Sequence, residues 1–505
     1  MSSVPDQFKT AHLATFRKAR QARDARFDGR FFIGVLSTGI YCRPICPARM
    51  PREDNVTYFL TAAAAIEAGY RPCLRCRPEA APLSPGISLP PLVAQGLNLI
   101  ARGSGDELGV SGMADILGVS TRQLGRQFKQ ILGASPKTLI LLRRLQFAKQ
   151  LLDESNRSIT EIALAAGYGS VRRFNDHCLQ VYGRPPREIR RKGHHPSQSD
   201  GMRFSLPYRP PYHFEALLDF LRLRATPGVE WVEEGFYNRT IILDNRAGLL
   251  RIGLDIERQS LFCELNMTVT TSLLPLLHRL RRLFDLGADS AGIDEHLSTD
   301  ERLAPLVARN PGLRLPGAWD AYEIAVRALV GQQISVAAAT RVMGRLVETY
   351  GQKLKQGDTR FSLFPAPGAL AEIDPLSLPM PVSRAKAIST LSALVASGEL
   401  DFNLPGEALR QQLLAIKGIG PWTADYICMR ALGDPDVFLH GDLVLKKVAA
   451  QLFDLSGEQQ LINYSQKWRP WRAYAALHLW RAAPLLQYPS RQHSSSQDSS
   501  LPARG

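Results

Sequence analysis

Two short-spaced pairs of cysteines constrain the fold of this chain more than any other feature. The pairs are Cys42-x3-Cys46 and Cys73-x2-Cys76, and 26 residues separate them. In a reducing compartment, two such pairs are typical of a tetrahedral zinc site with four thiolate ligands. Four unrelated buried thiols are the alternative interpretation.

The residues around these cysteines suggest more than a structural metal site. Five arginines lie close to the cysteines in sequence, and they are Arg43, Arg49, Arg71, Arg75 and Arg77. Four thiolates on Zn²⁺ carry a net charge of about −2. Such a centre beside arginines can stay nucleophilic. A purely structural zinc ribbon is the alternative.

The two cysteine segments, STGIYCRPICPAR and GYRPCLRCRP, closely resemble the N-terminal domain of the Ada family of adaptive-response proteins. This resemblance implies that a methyl group passes irreversibly from a DNA phosphotriester to Cys42, while the other three cysteines serve only as zinc ligands. It also implies contacts with DNA phosphates, and the matching positions are Thr38, Arg49 and Arg71. Methylation would remove one negative charge from the site and so raise its affinity for DNA.

The positive charge of the chain is concentrated in its first two fifths. Residues 1–192 hold 29 Lys and Arg against 15 Asp and Glu, a surplus of 14, whereas residues 193–505 hold 33 against 32, a surplus of 1. Such a surplus indicates a polyanionic partner, most simply nucleic acid, although a solvated basic face is the alternative. The sequence shows no apolar signal core and no apolar run of about eighteen residues. We therefore expect a soluble cytoplasmic protein, associated with the nucleoid and not with a membrane.

Residues 91–192 contain a helix-turn-helix pattern twice. In each copy a short amphipathic helix is followed by a turn rich in glycine and serine and then by a second helix. In the first copy this second helix exposes Arg122 and Arg126. Two recognition helices separated by one linking helix can enter successive major-groove faces. The arrangement resembles the AraC-type DNA-binding domain, which implies promoter DNA and RNA polymerase as partners. A plain helical bundle is the alternative.

The stretch at residues 413–447, LLAIKGIGPWTADYICMRALGDPDVFLHGDLVLKK, suggests chemistry on a nucleotide. Gly418 and Gly420 permit a sharp turn, and Pro421 suits the first position of a following helix. The unpaired N–H groups at that helix N-terminus suit a phosphate. A single carboxylate, Asp442, follows an apolar run. An ordinary αα-hairpin, with Asp442 as a helix N-cap, is the alternative.

This stretch resembles the helix-hairpin-helix, Gly/Pro-rich loop and Asp signature of base-excision DNA glycosylases, and its surroundings resemble the AlkA-type 3-methyladenine DNA glycosylase II. The resemblance implies that Gly418 and Gly420 contact the DNA backbone. It also implies an aromatic base pocket, for which the candidates are Trp422, Tyr426, Trp480 and Tyr474. Electron-rich rings attract a base made cationic by alkylation.

The same resemblance implies a mechanism. The target nucleotide must flip out of the duplex, and Gln333 stands where the family carries its wedge side chain; a buried loop amide is the alternative for Gln333. Asp442 matches the carboxylate that stabilises the cationic sugar and directs water to it. Relatives that also cut the strand carry a lysine at the position of Trp422, so we expect base hydrolysis without strand cleavage.

Together these features predict a multidomain α+β protein. We expect a four-cysteine zinc domain at 1–90, an all-α double helix-turn-helix domain at 91–192, a linker and AlkA-like α+β cap at 193–285, an all-α helix-hairpin-helix glycosylase core at 286–488 and a disordered tail at 489–505. The expected function is a response to DNA alkylation damage by methyl acceptance, transcription regulation and excision of alkylated purines. The alternative is a non-enzymatic DNA-binding regulator with a structural zinc site and a catalytically degenerate damage-binding domain.

Overall fold

The structure is a computed structural model that describes residues 10–487 apart from 25–26, 79–80, 82–88, 103, 156, 191–201, 244–245, 268–272, 355–360, 405 and 456. The predicted tail and most of the predicted linker after residue 192 lie outside the described residues. Across the described part of the chain, no helix combines the length and apolar character needed to cross a bilayer.

The N-terminal module is a four-stranded sheet flanked by two helices. Its elements are α1 (Thr10–Ala22), β1 (Phe32–Val35), β2 (Ile40–Cys42), β3 (Val56–Phe59), α2 (Ala62–Glu67) and β4 (Arg71–Pro72). The strand order is β3-β1-β2-β4, with β2 and β4 parallel and the other pairs antiparallel. The N–H of Cys73 donates to the Tyr41 carbonyl at 3.0 Å. This pairing brings the second pair of cysteines beside the first.

The next module is entirely helical and confirms the predicted pair of helix-turn-helix units. Its helices are α3 (Pro91–Arg102), α4 (Ser104–Glu107), α5 (Gly109–Ile116), α6 (Thr121–Leu132), α7 (Pro136–Glu154), α8 (Ile159–Ala165), α9 (Val171–Tyr182) and α10 (Pro186–Ile189). Gly118 and Gly167 turn the chain with φ of +65° and +76°. Ser120 and Ser170 then cap α6 and α9 by accepting an N–H from the third helical residue.

The cap is an antiparallel five-stranded sheet with two helices. Its elements are β5 (Met202–Pro207), α11 (Phe214–Arg224), β6 (Glu230–Glu233), β7 (Phe236–Leu243), β8 (Arg246–Asp255), β9 (Ser260–Leu265) and α12 (Leu274–Leu283), and the strand order is β5-β9-β8-β7-β6. The predicted α+β character of the cap agrees with these elements. In β5, buried Met202, Phe204 and Leu206 alternate with more exposed residues, which is the pattern of a half-buried strand.

The C-terminal core is a set of helices. They are α13 (Ser290–Leu297), α14 (Ala304–Arg309), α15 (Ala321–Val330), α16 (Val336–Tyr350), α17 (Pro367–Ala371), α18 (Val382–Ser397), α19 (Gly406–Leu414), α20 (Pro421–Leu432), α21 (Leu443–Phe453), α22 (Glu458–Ser465) and α23 (Arg472–Gln487). Their apolar side chains form two clusters, and Tyr426 of α20 packs against both. A seam between two clusters is a natural place for a cavity.

The second helix-turn-helix unit and the cap share one apolar core. Buried residues of α7, α8 and α9 belong to the same cluster as those of the cap sheet and α12. Phe147 and Phe204 meet edge to face across this boundary, with ring centroids 6.0 Å apart. Gln150 also donates to the Ser205 carbonyl. The two modules are therefore packed together and not merely joined by the chain.

Candidate functional sites

The glycine-rich turn joins α19 to α20 as the sequence predicts. Gly418 has a φ of +102°, and a Cβ at this position would lie 2.9 Å from the Cβ of Ala387, so glycine is the residue that fits without strain. Gly420 is the N-cap of α20, and Pro421 is in its first turn. Because glycine has no side chain, Gly420 makes no capping hydrogen bond to the helix. The first N–H groups of α20 are therefore available to an anionic oxygen.

Asp442 is the N-cap of α21, and it also lines a cavity. Its Oδ1 accepts hydrogen bonds from the N–H groups of Val444 and Leu445 at 2.9 and 3.0 Å and from Trp480 Nε1 at 3.2 Å. Among the residues that the structure describes, none donates to Oδ2. The two interpretations of Asp442 from sequence are thus compatible, because one oxygen anchors the side chain and the other is left for a ligand.

The cavity has a volume of about 890 Å³, and three of the four aromatic candidates for the base pocket line it. The rings of Trp422 and Tyr426 are stacked, with centroids 5.2 Å apart and planes 8° from parallel. Trp480 lies beside Asp442, to which it is hydrogen-bonded. The fourth candidate, Tyr474, is buried and donates to Asp285 at 2.6 Å instead.

The cap contributes to this cavity, which sequence reasoning missed. Phe220 and Arg224 of α11 line it, and the Arg224 guanidinium lies 3.8 Å from the centroid of the Phe220 ring. Arg430 donates to the Tyr426 hydroxyl at 2.7 Å. Burial alone would raise the pKa of Tyr426, but the guanidinium groups of Arg430, Arg224 and Arg327 lower it below its usual value. An i,i+4 spacing on an amphipathic helix is common on protein surfaces, so the sequence around Phe220 and Arg224 carries no signal for the cavity.

Gln333 lies in the turn at residues 331–335, between α15 and α16. It is exposed and has a φ of +59°, so it is not a buried loop amide. Its neighbour Gln332 donates through Nε2 to the Gly418 carbonyl at 2.9 Å and to Thr423 Oγ1 at 3.1 Å. The 331–335 turn and the glycine-rich turn are therefore held together by one side chain.

The four cysteines come together as one cluster. Their sulfur atoms all lie within 4.8 Å of one another, and none is in a disulfide. Tetrahedral zinc with Zn–S bonds of about 2.3 Å needs sulfurs about 3.8 Å apart, so the set fits this metal. Hydrogen bonding among the thiols raises the pKa of Cys42 and Cys76 and lowers that of Cys73 and, to about 7, of Cys46. Cys42 and Cys46 are partly exposed, whereas the second pair is buried.

The predicted DNA-contacting side chains of the first two modules are all exposed. Thr38, Arg49 and Arg71 lie on the surface of the zinc module, and Arg122 and Arg126 lie on α6. The helices α6 and α9 repeat the same alternation of buried and exposed positions, so each offers one polar face. These positions are accessible to a duplex, and their roles in binding stay predictions.

Four family models match successive parts of the chain. They are the metal binding domain of Ada at residues 15–79, a helix-turn-helix domain at 113–192, the AlkA N-terminal domain at 203–320 and the HhH-GPD superfamily of base excision DNA repair proteins at 326–472. A protein of Mycobacterium tuberculosis named "Probable bifunctional transcriptional activator/DNA repair enzyme AlkA" is 40% identical over 94% of this chain and 98% of its own length. The chain belongs to this family of bifunctional activator and repair proteins.

Other comparisons cover the C-terminal part of this family member. DNA-3-methyladenine glycosylase 2 of Escherichia coli is 35% identical over 55% of this chain and 96% of its own length. The structure of the 3-methyladenine DNA glycosylase from Archaeoglobus fulgidus superposes with a TM-score of 0.50 at 22% identity, over 56% of this chain and 99% of that one. At this identity it supports the fold alone. The predicted multidomain α+β architecture and four-cysteine zinc site are confirmed.

Proposed function

We propose that the C-terminal half hydrolyses the N-glycosidic bond of alkylated purines in double-stranded DNA, with Asp442 as the catalytic carboxylate. One observation carries this proposal. Asp442 is anchored through Oδ1 by three N–H donors, and the residue lines a cavity that also holds the stacked rings of Trp422 and Tyr426. Trp422, Tyr426 and Trp480 would hold the flipped base in this cavity by stacking and cation–π contact.

The leaving group makes the chemistry undemanding for the protein. A purine alkylated at N3 or N7 is cationic and departs as a neutral base, so it needs little help from a general acid. As the C–N bond breaks, its electron pair goes to the base and positive charge develops on the sugar, which the Asp442 carboxylate stabilises. A water molecule adds to the sugar carbon and gives its proton to the carboxylate or to solvent.

The glycosylase is proposed to be monofunctional. Strand cleavage in relatives of this superfamily needs a lysine amine to form a Schiff base, and Trp422 occupies the matching position. Among the described residues, no lysine lines the cavity. Borohydride should therefore trap no covalent adduct between the protein and alkylated DNA.

Cys42 is the proposed acceptor of methyl groups from DNA phosphotriesters. Bound zinc would keep the four cysteines as thiolates. The Cys42 sulfur attacks the methyl carbon, the carbon–oxygen bond breaks, and the repaired phosphodiester leaves with the electron pair. The thioether that forms is stable, so each chain reacts once. Cys42→Ala should abolish methyl transfer and Cys46→Ala should lose zinc, and mass spectrometry that placed the methyl on Cys73 would overturn the assignment.

The N-terminal modules are proposed to direct the protein to DNA. Thr38, Arg49 and Arg71 would contact phosphates around a methylated site, while Arg122 and Arg126 would enter the major groove of a promoter. At the repair site, Gly418 and Gly420 would grip the backbone and Gln333 would fill the gap left by the flipped nucleotide. Contact with RNA polymerase and association with the nucleoid follow from this role. The proposed domain bounds are 1–90, 91–192, 193–285 and 286–488.

One experiment tests both activities at once. The purified protein is incubated with DNA treated with dimethyl sulfate or a methylnitrosourea, then released bases are separated by chromatography and protein methylation is located by mass spectrometry. Asp442→Asn should lose base release but keep methyl transfer, and Cys42→Ala should do the reverse. A wild-type protein that binds this DNA but releases no base and gains no methyl group would be a regulator only.

A further inference from the structure

A short segment of the zinc module, Asp28–Arg30, contacts the part of the chain assigned to repair. Arg30 forms an ion pair with Asp289, the residue that precedes α13, and the two side chains are 18% and 22% exposed. Arg209 of the cap is 1% exposed and donates through Nε to the Asp28 carbonyl at 3.1 Å. Contacts this well shielded from water are weakened little by salt.

The same segment also reaches the four-cysteine site. The Asp28 carboxylate, which is 7% exposed, accepts two hydrogen bonds from the guanidinium of Arg43, one of them at 2.8 Å. Arg43 directly follows Cys42 in the chain. Its Nη1 donates to the Cys76 carbonyl at 3.1 Å, and its main-chain N–H donates to the Cys76 sulfur at 3.4 Å. A metal ion that orders the cysteines would thus also order Arg43 and its partner Asp28.

Within residues 202–487, the contacts continue from Arg209 to α23, the helix that carries Trp480. Arg314 donates to the Arg209 carbonyl, to the Ala288 carbonyl at 2.8 Å and to the Asp285 carbonyl at 2.9 Å. The Asp285 carboxylate accepts from the Tyr474 hydroxyl of α23 at 2.6 Å. The segment therefore rests on the junction between cap and core.

We propose that Asp28–Arg30 is a docking surface through which the zinc site stabilises residues 202–487, the repair half. If the cysteines lost their order, Arg43 would no longer be held in place, and its partner Asp28 would become more mobile. The buried charge of Arg209 and the Arg30–Asp289 ion pair would then be poorly compensated, and an uncompensated buried charge destabilises the folded chain. By thermodynamic linkage, zinc occupancy and the stability of the repair half then influence each other reciprocally. The proposal goes beyond the glycosylase and methyl-acceptor activities, and it holds whichever base is excised.

The distribution of tryptophans gives a direct readout. The chain has six, and all of them lie between residues 231 and 480, whereas the zinc ligands all precede residue 77. Tryptophan fluorescence during heating therefore reports on the repair half alone, while metal content is measured separately. When a chelator removes zinc from the full-length protein, the fluorescence-detected unfolding midpoint should fall by about 3–6 °C.

Two variants locate the coupling, and a third serves as the matched control. Arg30→Met and Asp289→Asn break the ion pair from opposite sides, and each should bind one zinc yet lose most of the zinc-dependent shift. Arg17→Met removes an exposed ion pair with Glu53 inside the zinc module, 3.0 Å long, and should keep the full shift. A wild-type midpoint that does not change on chelation would overturn the proposal. An equal shift in Asp289→Asn would also overturn it, because the Arg30–Asp289 ion pair would then carry none of the coupling.

Discussion

Replacing Asp442 with asparagine isolates the charge of this side chain from its structural role. Asparagine is as good an N-cap as aspartate, and its Oδ1 can still accept from Val444, Leu445 and Trp480. Opposite unit charges at roughly 4 Å and an effective dielectric constant of about 20 attract each other by about 4 kcal/mol. Loss of this attraction to the developing cationic sugar corresponds to about a thousandfold in rate. We therefore expect Asp442→Asn to release alkylated bases about a thousandfold more slowly.

The assay is single-turnover release of 3-methyladenine and 7-methylguanine from methylated duplex DNA, with enzyme in excess so that product release does not contribute. The free energy of unfolding of Asp442→Asn, measured by tryptophan fluorescence, should stay within about 0.5 kcal/mol of the wild-type value. Asp442→Ala is the comparison, because it also removes the cap and should lose about 1 kcal/mol of stability. Base release by a folded Asp442→Asn variant within tenfold of the wild type would refute the proposed role of the charge.

Three further changes test the surroundings of the site. Trp480→Phe keeps an aromatic ring but removes the N–H that holds Asp442, so single-turnover release should slow about tenfold; an unchanged rate would contradict this positioning. Gln332→Ala removes the donor to the Gly418 carbonyl and should lower the flipped fraction of a 2-aminopurine reporter in DNA about fivefold. Unchanged 2-aminopurine fluorescence would show that the contact between the two turns does not contribute to base flipping. Burial raises the pKa of Asp285 to about 6, so the folded chain holds this proton more tightly than the unfolded chain. The contribution of Asp285 to the free energy of unfolding therefore falls by about 3 kcal/mol as pH rises from about 4 to 6. Asp285→Asn should remove that loss in urea unfolding followed by tryptophan fluorescence, whereas a pH-independent difference from the wild type would contradict it.

Local chemistry made much of the architecture predictable from sequence. The cysteine pairs anticipated one cluster because few folds bring two such pairs together without a metal. The glycines at 118, 167 and 418 marked turns because a left-handed backbone disfavours other residues. At Asp442 the sequence left two roles open, cap or catalytic carboxylate. The local sequence pattern could not choose between these roles, because Asp442 both caps α21 and lines the cavity. The cavity is formed by segments that are distant in sequence.

What escaped sequence reasoning depends on contacts between distant segments. Phe220 and Arg224 looked like ordinary surface positions of an amphipathic helix, and only the packing of the cap on the core places them at the cavity. Arg30 and Asp289 are 259 residues apart in sequence, so no periodicity relates them. Neither type of contact has a signature within a short window of sequence, because the partner is supplied by tertiary folding.

The apolar core shared by the second helix-turn-helix unit and the cap changes how the two DNA-binding parts help each other. Two modules on a flexible tether gain avidity according to the effective concentration that the tether allows, which falls as the tether lengthens. Here Phe147 and Phe204 fix the modules against each other, so the packed interface sets that effective concentration, and lengthening the connection between residues 190 and 202 should scarcely alter it. Only a DNA path that reaches both α9 and the cavity at once would gain from both contacts.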